Sequence, residues 1–332
     1  MTSKQTFATV EPKLAIGLHN WSIDEPDSWQ FLLDRAVAAD RAGIDQLVVS
    51  DHVVFGENLD AYAKSELGGR DGGRQPTGSD GHWLEPLTLL SMIAAQTTAI
   101  RLSTGVLLAA LRRPVVLAKT VTTLDVLSGG RLDLGVGIGW QKEEYDAAGL
   151  PFAKRGKLLD HTLSVCEALW TNSPASYQSE ELQFEKIHCK PGPLQPGGIP
   201  VWVSGTINER VLQRVVRFGS GWIPWGDFTE NPVPGIEPIH RALRDAGRDV
   251  DGFKIRGMLP VRADDKGRID LAKSVAPAPR LIDAGVTHLQ LNLPLANEYH
   301  TVFEQLSEAV DVFDKATGRA NSRAAVGVAA ND

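Results

Sequence analysis

Short β-type runs alternate with helical patterns along most of the chain, and this alternation is what constrains its fold most. The runs are Leu14–Leu18, Gln46–Ser50, Arg101–Leu107, Leu132–Val136, Pro200–Ser204, Gly221–Pro224, Lys254–Met258 and Thr287–Leu293. Segments such as LVVS and VWVS are apolar at nearly every position, as strands buried on both faces must be, and parallel sheets bury both faces. Between them lie helical patterns such as Pro114–Leu127, with Leu117, Val121 and Leu124 at helical spacing. Pro114 suits a first helical position and Gly129-Gly130 a helix stop. Ala42-Gly43-Ile44, Phe218-Gly219, Ala246-Gly247 and Ala284-Gly285-Val286 repeat one phrase, a helix end closed by glycine, mostly just before a strand. Eight strands joined by helices fit a closed (β/α)8 barrel, which takes about 250 residues before insertions; an open doubly wound sheet is the structural alternative.

The barrel is expected as a single domain over residues 1–316, with a flexible tail over 317–332 that is rich in Ala, Gly and Asn. Two connections exceed the barrel plan. Residues 51–83, after the second strand, are polar and glycine-rich and read as a lid or binding loop. Residues 172–198, after the fourth, are proline-rich and carry a hairpin at Ser176–Ile187. A net charge of −7 with no Lys/Arg block argues against nucleic acid as a partner. The chain has no apolar run of bilayer length, so no membrane partner is expected. Its start lacks the features of a signal peptide, which makes a cytoplasmic protein the expectation. Cys166 and Cys189 form neither a disulfide scaffold nor a zinc site, and Cys166 falls on the apolar face of a helix with Leu159, Leu163 and Trp170.

In a parallel barrel the ligand meets the carboxyl ends of the strands. The third strand runs out through Thr104-Gly105-Val106 and the fourth through Gly137-Ile138-Gly139-Trp140. Glycines at those ends let a large flat ligand approach the backbone. The second strand ends in Asp51-His52, a pair that can orient a ligand and move a proton; equally, Asp51 could cap a turn and His52 pack beneath the loop. After the fifth strand, Ser204-Gly205-Thr206 opens a helix, with Thr206 and Glu209 spaced as a capping box. Such a start can bind an anion, and a plain cap fits as well. Trp21, Trp140, Trp222 and Trp225 lie near strand ends and as a group would line an apolar cavity for a flat ring. Glu143 and Glu144 read as a solvated helix start.

Spacing excludes several chemistries. The dinucleotide fingerprint needs a third glycine three residues after the second, and starting from Gly135 or Gly137 that position is Trp140 or Lys142. The histidines are scattered, so no metal site is expected. The fourth and seventh strands end without the carboxylate pair a glycosidase requires.

Together the phrases TGVL at 104–107, RRPVVLAK at 112–119, LDVLSGGRLDLGVGIGW at 124–140 and PFAKRG at 151–156 resemble the luciferase-like monooxygenase superfamily. Ser50-Asp51-His52-Val53-Val54 is similar to the branch that uses the deazaflavin coenzyme F420 in place of FMN. The likeness runs from about Leu14 to Phe313. It implies a barrel that is often a homodimer, an oxidoreductase acting on a small organic substrate, and hydride transfer to or from the deazaflavin. Asp51 and His52 would lie beside the ring, with His52 managing the proton. The resemblance also implies a non-prolyl cis peptide at Gly105-Val106 against one ring face. Thr104 and Trp140 would belong to the same cofactor site, with Gly137 and Gly139 giving the cofactor room and Ser204, Gly205 and Thr206 holding its phosphate. Related sugar-phosphate dehydrogenases place an acidic proton donor where this chain has Trp140, so their substrate is not carried over. Two other readings stand beside this one: an FMN-dependent monooxygenase using dioxygen and a reductase partner, and a cofactor-binding protein without turnover.

Overall fold

The computed structural model describes residues 11–320. Eight parallel strands close a barrel: β1 Lys13–Gly17, β2 Gln46–Val49, β3 Arg101–Thr104, β4 Leu132–Val136, β5 Val201–Gly205, β6 Gly219–Pro224, β7 Lys254–Leu259 and β8 His288–Leu291. Each strand lies beside its predecessor, and β8 returns to β1 in the register Lys13↔His288 to Ile16↔Leu291. The eight strands expected from apolar runs are all present, with ends shifted by a few residues, and β4 falls where it was expected. The open sheet is therefore excluded. The expected tail lies, from residue 321 onward, outside the described residues.

Contact density divides the chain into two compact units. The first holds β1, β2 as far as Val48, and the described residues from Gly205 onward. Its interior is partly polar: the buried Arg256 guanidinium donates to Gln46 Oε1 at 2.9 Å. Arg35, on the helix Gln30–Ala42, donates to the carbonyls of Ala296 and Leu295 at 2.8 and 2.6 Å, fixing the chain just before the helix Tyr299–Thr317. Trp222 is fully buried, and a Cβ on Gly235 would stand 2.5 Å from its ring.

The second unit holds His19–Trp29 and Val49–Ser204. The helix Pro114–Leu127 begins on its expected proline and stops at Gly129-Gly130, both at positive φ. It packs against the helix Arg155–Thr171, where Cys166 is buried and burial pushes its thiol pKa up, as befits a core residue. The 172–198 connection carries the expected hairpin as Ala175–Gln178 paired with Gln183–Ile187. Buried Asp125 anchors its far end, accepting from the Leu194 amide and Gln195 Nε2 at 2.8 and 2.7 Å.

β3 is shorter than the sequence suggested. It stops at Thr104, the Gly105-Val106 peptide is cis as expected, and the chain rejoins β4 through a bridge between Leu107 and Val136. Backbone bonds pin the resulting bulge on both sides. Gly105 donates to Val49 O at 2.6 Å, Leu107 to Gly135 O at 2.7 Å, and Gly137 to Leu107 O at 3.1 Å. The Thr104 hydroxyl donates to Gly135 O at 2.7 Å. A Cβ on Gly137 would come within 2.5 Å of Val106 Cγ2, so this glycine is required by the bulge itself. Valine is stiff at χ1 and cannot turn aside. Replacing Gly137 with alanine should therefore cost about 1–3 kcal/mol in urea unfolding. Adding Val106→Ala in the same chain should recover part of that loss, whereas independent additive losses would show that the two residues do not share this space.

Candidate active site

At the end of β2 the chain turns through Ser50, Asp51 and His52 in the second unit. The Asp51 carboxylate is wholly buried and fully engaged. It accepts from the Leu108 amide at 2.8 Å and from the Arg112 guanidinium at 2.6 and 3.1 Å. Arg112 reaches on to Glu85 at 2.7 Å, and Glu85 caps the helix Pro86–Ala94 through the Thr88 amide. Burial opposes the charge on Arg112, but its bonds to Asp51 and Glu85 outweigh that and hold its pKa above the ordinary arginine value. Asp51 was expected beside a bound ring; here its carboxylate is spent on the protein, fixing the segment just after the bulge.

His52 differs. Its ring is nearly buried, with Nδ1 3.2 Å from Glu144 Oε2, while the other Glu144 oxygen accepts from the Val53 amide at 2.8 Å. A carboxylate accepting at Nδ1 would leave the lone pair on Nε2. Nε2 has no hydrogen-bond partner among the described residues, so it is the nitrogen open to a ligand. Glu144 overturns the expectation of a solvated helix start. On the helix Lys142–Ala147, Lys142 and Asp146 form an exposed pair, but Glu144 is buried beneath the start of the 51–83 connection. Gln141, also buried, donates to Gly56 O at 3.2 Å and ties down the same stretch.

Aromatic rings surround the histidine. Phe55, Trp83 and Trp140 lie 4.4, 4.9 and 5.7 Å from it between ring centroids. Trp21 stacks on Trp83 at 5.8 Å across the two-residue ribbon Trp21–Ser22 with His82–Trp83, and His19 stacks on Trp21 at 5.0 Å. Of the tryptophans expected to line a cavity, Trp21 and Trp140 join this cluster of rings, together with Trp83 and Phe55. Trp222 does not: it is core of the first unit, its indole N–H donating to Gly205 O at 2.9 Å.

The glycines of the fourth strand end are filled by the protein. Val106 takes the space at Gly137. Gly139 has φ +69° and packs on Leu108, and its carbonyl would lie 2.8 Å from a Cβ on Gly68 of the long connection. Tyr62 rests edge-on against Trp140 at 5.2 Å, and Arg155 donates to Leu67 O at 3.1 Å. What remains half-exposed at the end of β3 is the bulge: Gly105 and Val106 are partly open, whereas Thr104 and Leu107 are buried.

The capping box also needs correction. The helix Glu209–Phe218 is capped by Asn208, whose side chain accepts from the Val211 amide at 3.1 Å. Asn208 is extended and stands nearer the first turn, so it outcompetes Thr206, which donates to Trp225 O at 3.2 Å. Ser204 and Gly205 are half-buried and Thr206 is exposed, with Gly205 at φ +154° and 2.8 Å, measured from a would-be Cβ, from Val211 Cγ2. Among the described residues no cluster of three or more His, Cys, Asp or Glu could hold a metal ion, and no helix is long and apolar enough to cross a membrane.

Removing Arg112 would strand a buried carboxylate. Arg112→Met should lose about 3–5 kcal/mol in urea unfolding, and Arg113→Met, at an exposed neighbour, should lose little. Equal small losses would mean that Asp51 does not depend on the pair.

Comparison with known proteins matches this geometry to one family. A family model described as luciferase-like monooxygenase matches residues 12–273. The uncharacterised protein Rv0953c of Mycobacterium tuberculosis is 38% identical over 217 residues, which cover 64% of this chain and 70% of that protein. Among solved structures, the monooxygenase RslO1 from Streptomyces bottropensis superposes with a TM-score of 0.68 at 17% identity, covering 91% of this chain and 98% of its own. An F420-dependent secondary alcohol dehydrogenase, in complex with an F420-acetone adduct, superposes with a TM-score of 0.69 at 14% identity, covering 91% and 99%. The family-model match over most of the chain, on a closed barrel with a cis Gly105-Val106 bulge, makes this protein a member of the luciferase-like monooxygenase family.

Proposed function

We propose that the protein is an oxidoreductase dependent on coenzyme F420, acting on a small organic substrate. The observation that carries this reading is the pairing of His52 with buried Glu144, which leaves Nε2 unpartnered among aromatic rings in the unit that also holds the Gly105-Val106 bulge. The deazaflavin, when bound, takes up or supplies a hydride.

What the chain supplies is the accompanying proton and a shielded site. When a hydride leaves a carbinol carbon, its hydroxyl must shed a proton, and Nε2 of His52 is an acceptor with nothing else bound to it. In the reverse direction the same nitrogen returns the proton to the carbonyl oxygen. Phe55, Trp83 and buried Trp140 pack around the imidazole and would exclude water from it. The half-exposed backbone of Gly105 and Val106 would receive the deazaflavin ring. Ser204, Gly205 and Thr206 are proposed as its phosphate contacts on the family resemblance. The secondary alcohol dehydrogenase of similar fold supports a deazaflavin; the monooxygenase RslO1 and a riboflavin lyase solved with modified FMN, both of similar fold, keep an FMN-dependent monooxygenase as the second reading.

Titrating the purified protein with coenzyme F420 and with FMN, followed by tryptophan fluorescence, separates the two. Saturable quenching by F420 with weaker binding of FMN is expected; tight FMN binding with no response to F420 would overturn the cofactor assignment. With cofactor bound, a panel of alcohols, enones and imines should reveal turnover, and His52→Ala should lower it by about 10²–10⁴-fold. Binding without turnover across the panel would favour a cofactor-binding protein that does no chemistry.

A further inference from the structure

We propose that Glu144 is a positioning residue that fixes the tautomer of His52, making Nε2 the proton acceptor. Through its second carboxylate oxygen it ties that choice to the first residues of the 51–83 connection. The inference rests on reading His52 as the residue that moves the proton.

A neutral imidazole carries one ring hydrogen, and the partner of one nitrogen decides which nitrogen holds it. The Glu144 side chain has no exposed surface, so its oxygens must be satisfied by the protein. One is committed: the Val53 amide is an obligate donor, 2.8 Å from Oε1. The other lies 3.2 Å from His52 Nδ1. Accepting on both sides, the carboxylate places the ring hydrogen on Nδ1. Turning the ring about Cβ–Cγ would put a carbon, Cδ2, against the carboxylate, and the ring is packed against Phe55 at 4.4 Å, Trp83 at 4.9 Å and Trp140 at 5.7 Å. The contact with Glu144 thus favours one ring orientation and one tautomer.

The same carboxylate fixes the backbone at Val53, where the long connection leaves the barrel. Gln141 secures Gly56 three residues further on, and a Cβ on Gly56 would collide with Glu143 at 2.3 Å. The short helix after β4 therefore grips the start of the connection at two points, Val53 and Gly56. Movement of that stretch would pull on the group that sets the state of His52.

A purely structural role, holding Val53 alone, makes a different prediction, and Glu144→Gln separates the two. Glutamine keeps an oxygen for the Val53 amide but turns an N–H₂ toward Nδ1. Nδ1 must then accept, and the ring hydrogen moves to Nε2. Long-range ¹H–¹⁵N spectra of the protein labelled at histidine read this directly, with the His52 signals among the eight histidines assigned by their loss in His52→Ala. The neutral ring of the wild type is expected to show Nδ1 protonated and Nε2 bare, and Glu144→Gln the reverse. Turnover by Glu144→Gln should fall by about 10²–10⁴-fold, with cofactor affinity and melting temperature little changed. A wild-type ring protonated on Nε2, an unchanged tautomer in Glu144→Gln, or full turnover in that variant would each overturn the proposal. The spectra need no cofactor, so failure to bind F420 would count against the proposed function and leave this test intact.

Discussion

The site depends on one buried carboxylate. Asp51 closes β2 and holds, through Leu108 and Arg112, the segment that follows the bulge of β3. A carboxylate without solvent is tolerable only when charge and hydrogen bonds replace the water it has lost. Here a bidentate guanidinium and a backbone amide do so. Two neighbouring strand ends are thereby fixed to one another, the bulge on one and His52 on the other. That bond adds to the backbone bonds that pin the Gly105-Val106 bulge and to the Glu144 contact that holds the imidazole.

A second buried carboxylate does for chemistry what Asp51 does for geometry. Glu144 touches a histidine nitrogen and a loop amide, and between them these contacts fix orientation, tautomer and the exit of the long connection. The two acids divide the work: Asp51 is closed off from ligand by its own partners, while Glu144 leaves the far nitrogen of His52 bare. The barrel supplies rigid strand ends for both, as parallel barrels of this type do for many chemistries.

How far the sequence could be read depends on the range of the interactions involved. The barrel was legible because a strand buried on both faces is apolar at nearly every position, a local property that Leu47-Val48-Val49 and Val201-Trp202-Val203 display. The bulge was legible through family resemblance at TGVL, since no local rule marks a cis peptide between glycine and valine. Glu144 was hidden for a physical reason. It shares a short helix with Lys142 and Asp146, which are exposed, and its hydrogen-bond partners, His52 and Val53, lie some ninety positions earlier in the chain. The cap at 208 was missed because Thr206 and Asn208 are both good capping residues, and backbone extension at Asn208 decides between them. Gly137 was assigned to a ligand, but the space it leaves belongs to Val106, a contact invisible until the strands are paired.

Co-crystallisation with oxidised coenzyme F420 tests the central claim most directly. Electron density for the deazaflavin ring against the Gly105-Val106 peptide, with His52 Nε2 facing the ligand and Nδ1 still on Glu144, is the expected result. A ring bound away from the bulge, or His52 turned so that Nε2 meets Glu144, would contradict it.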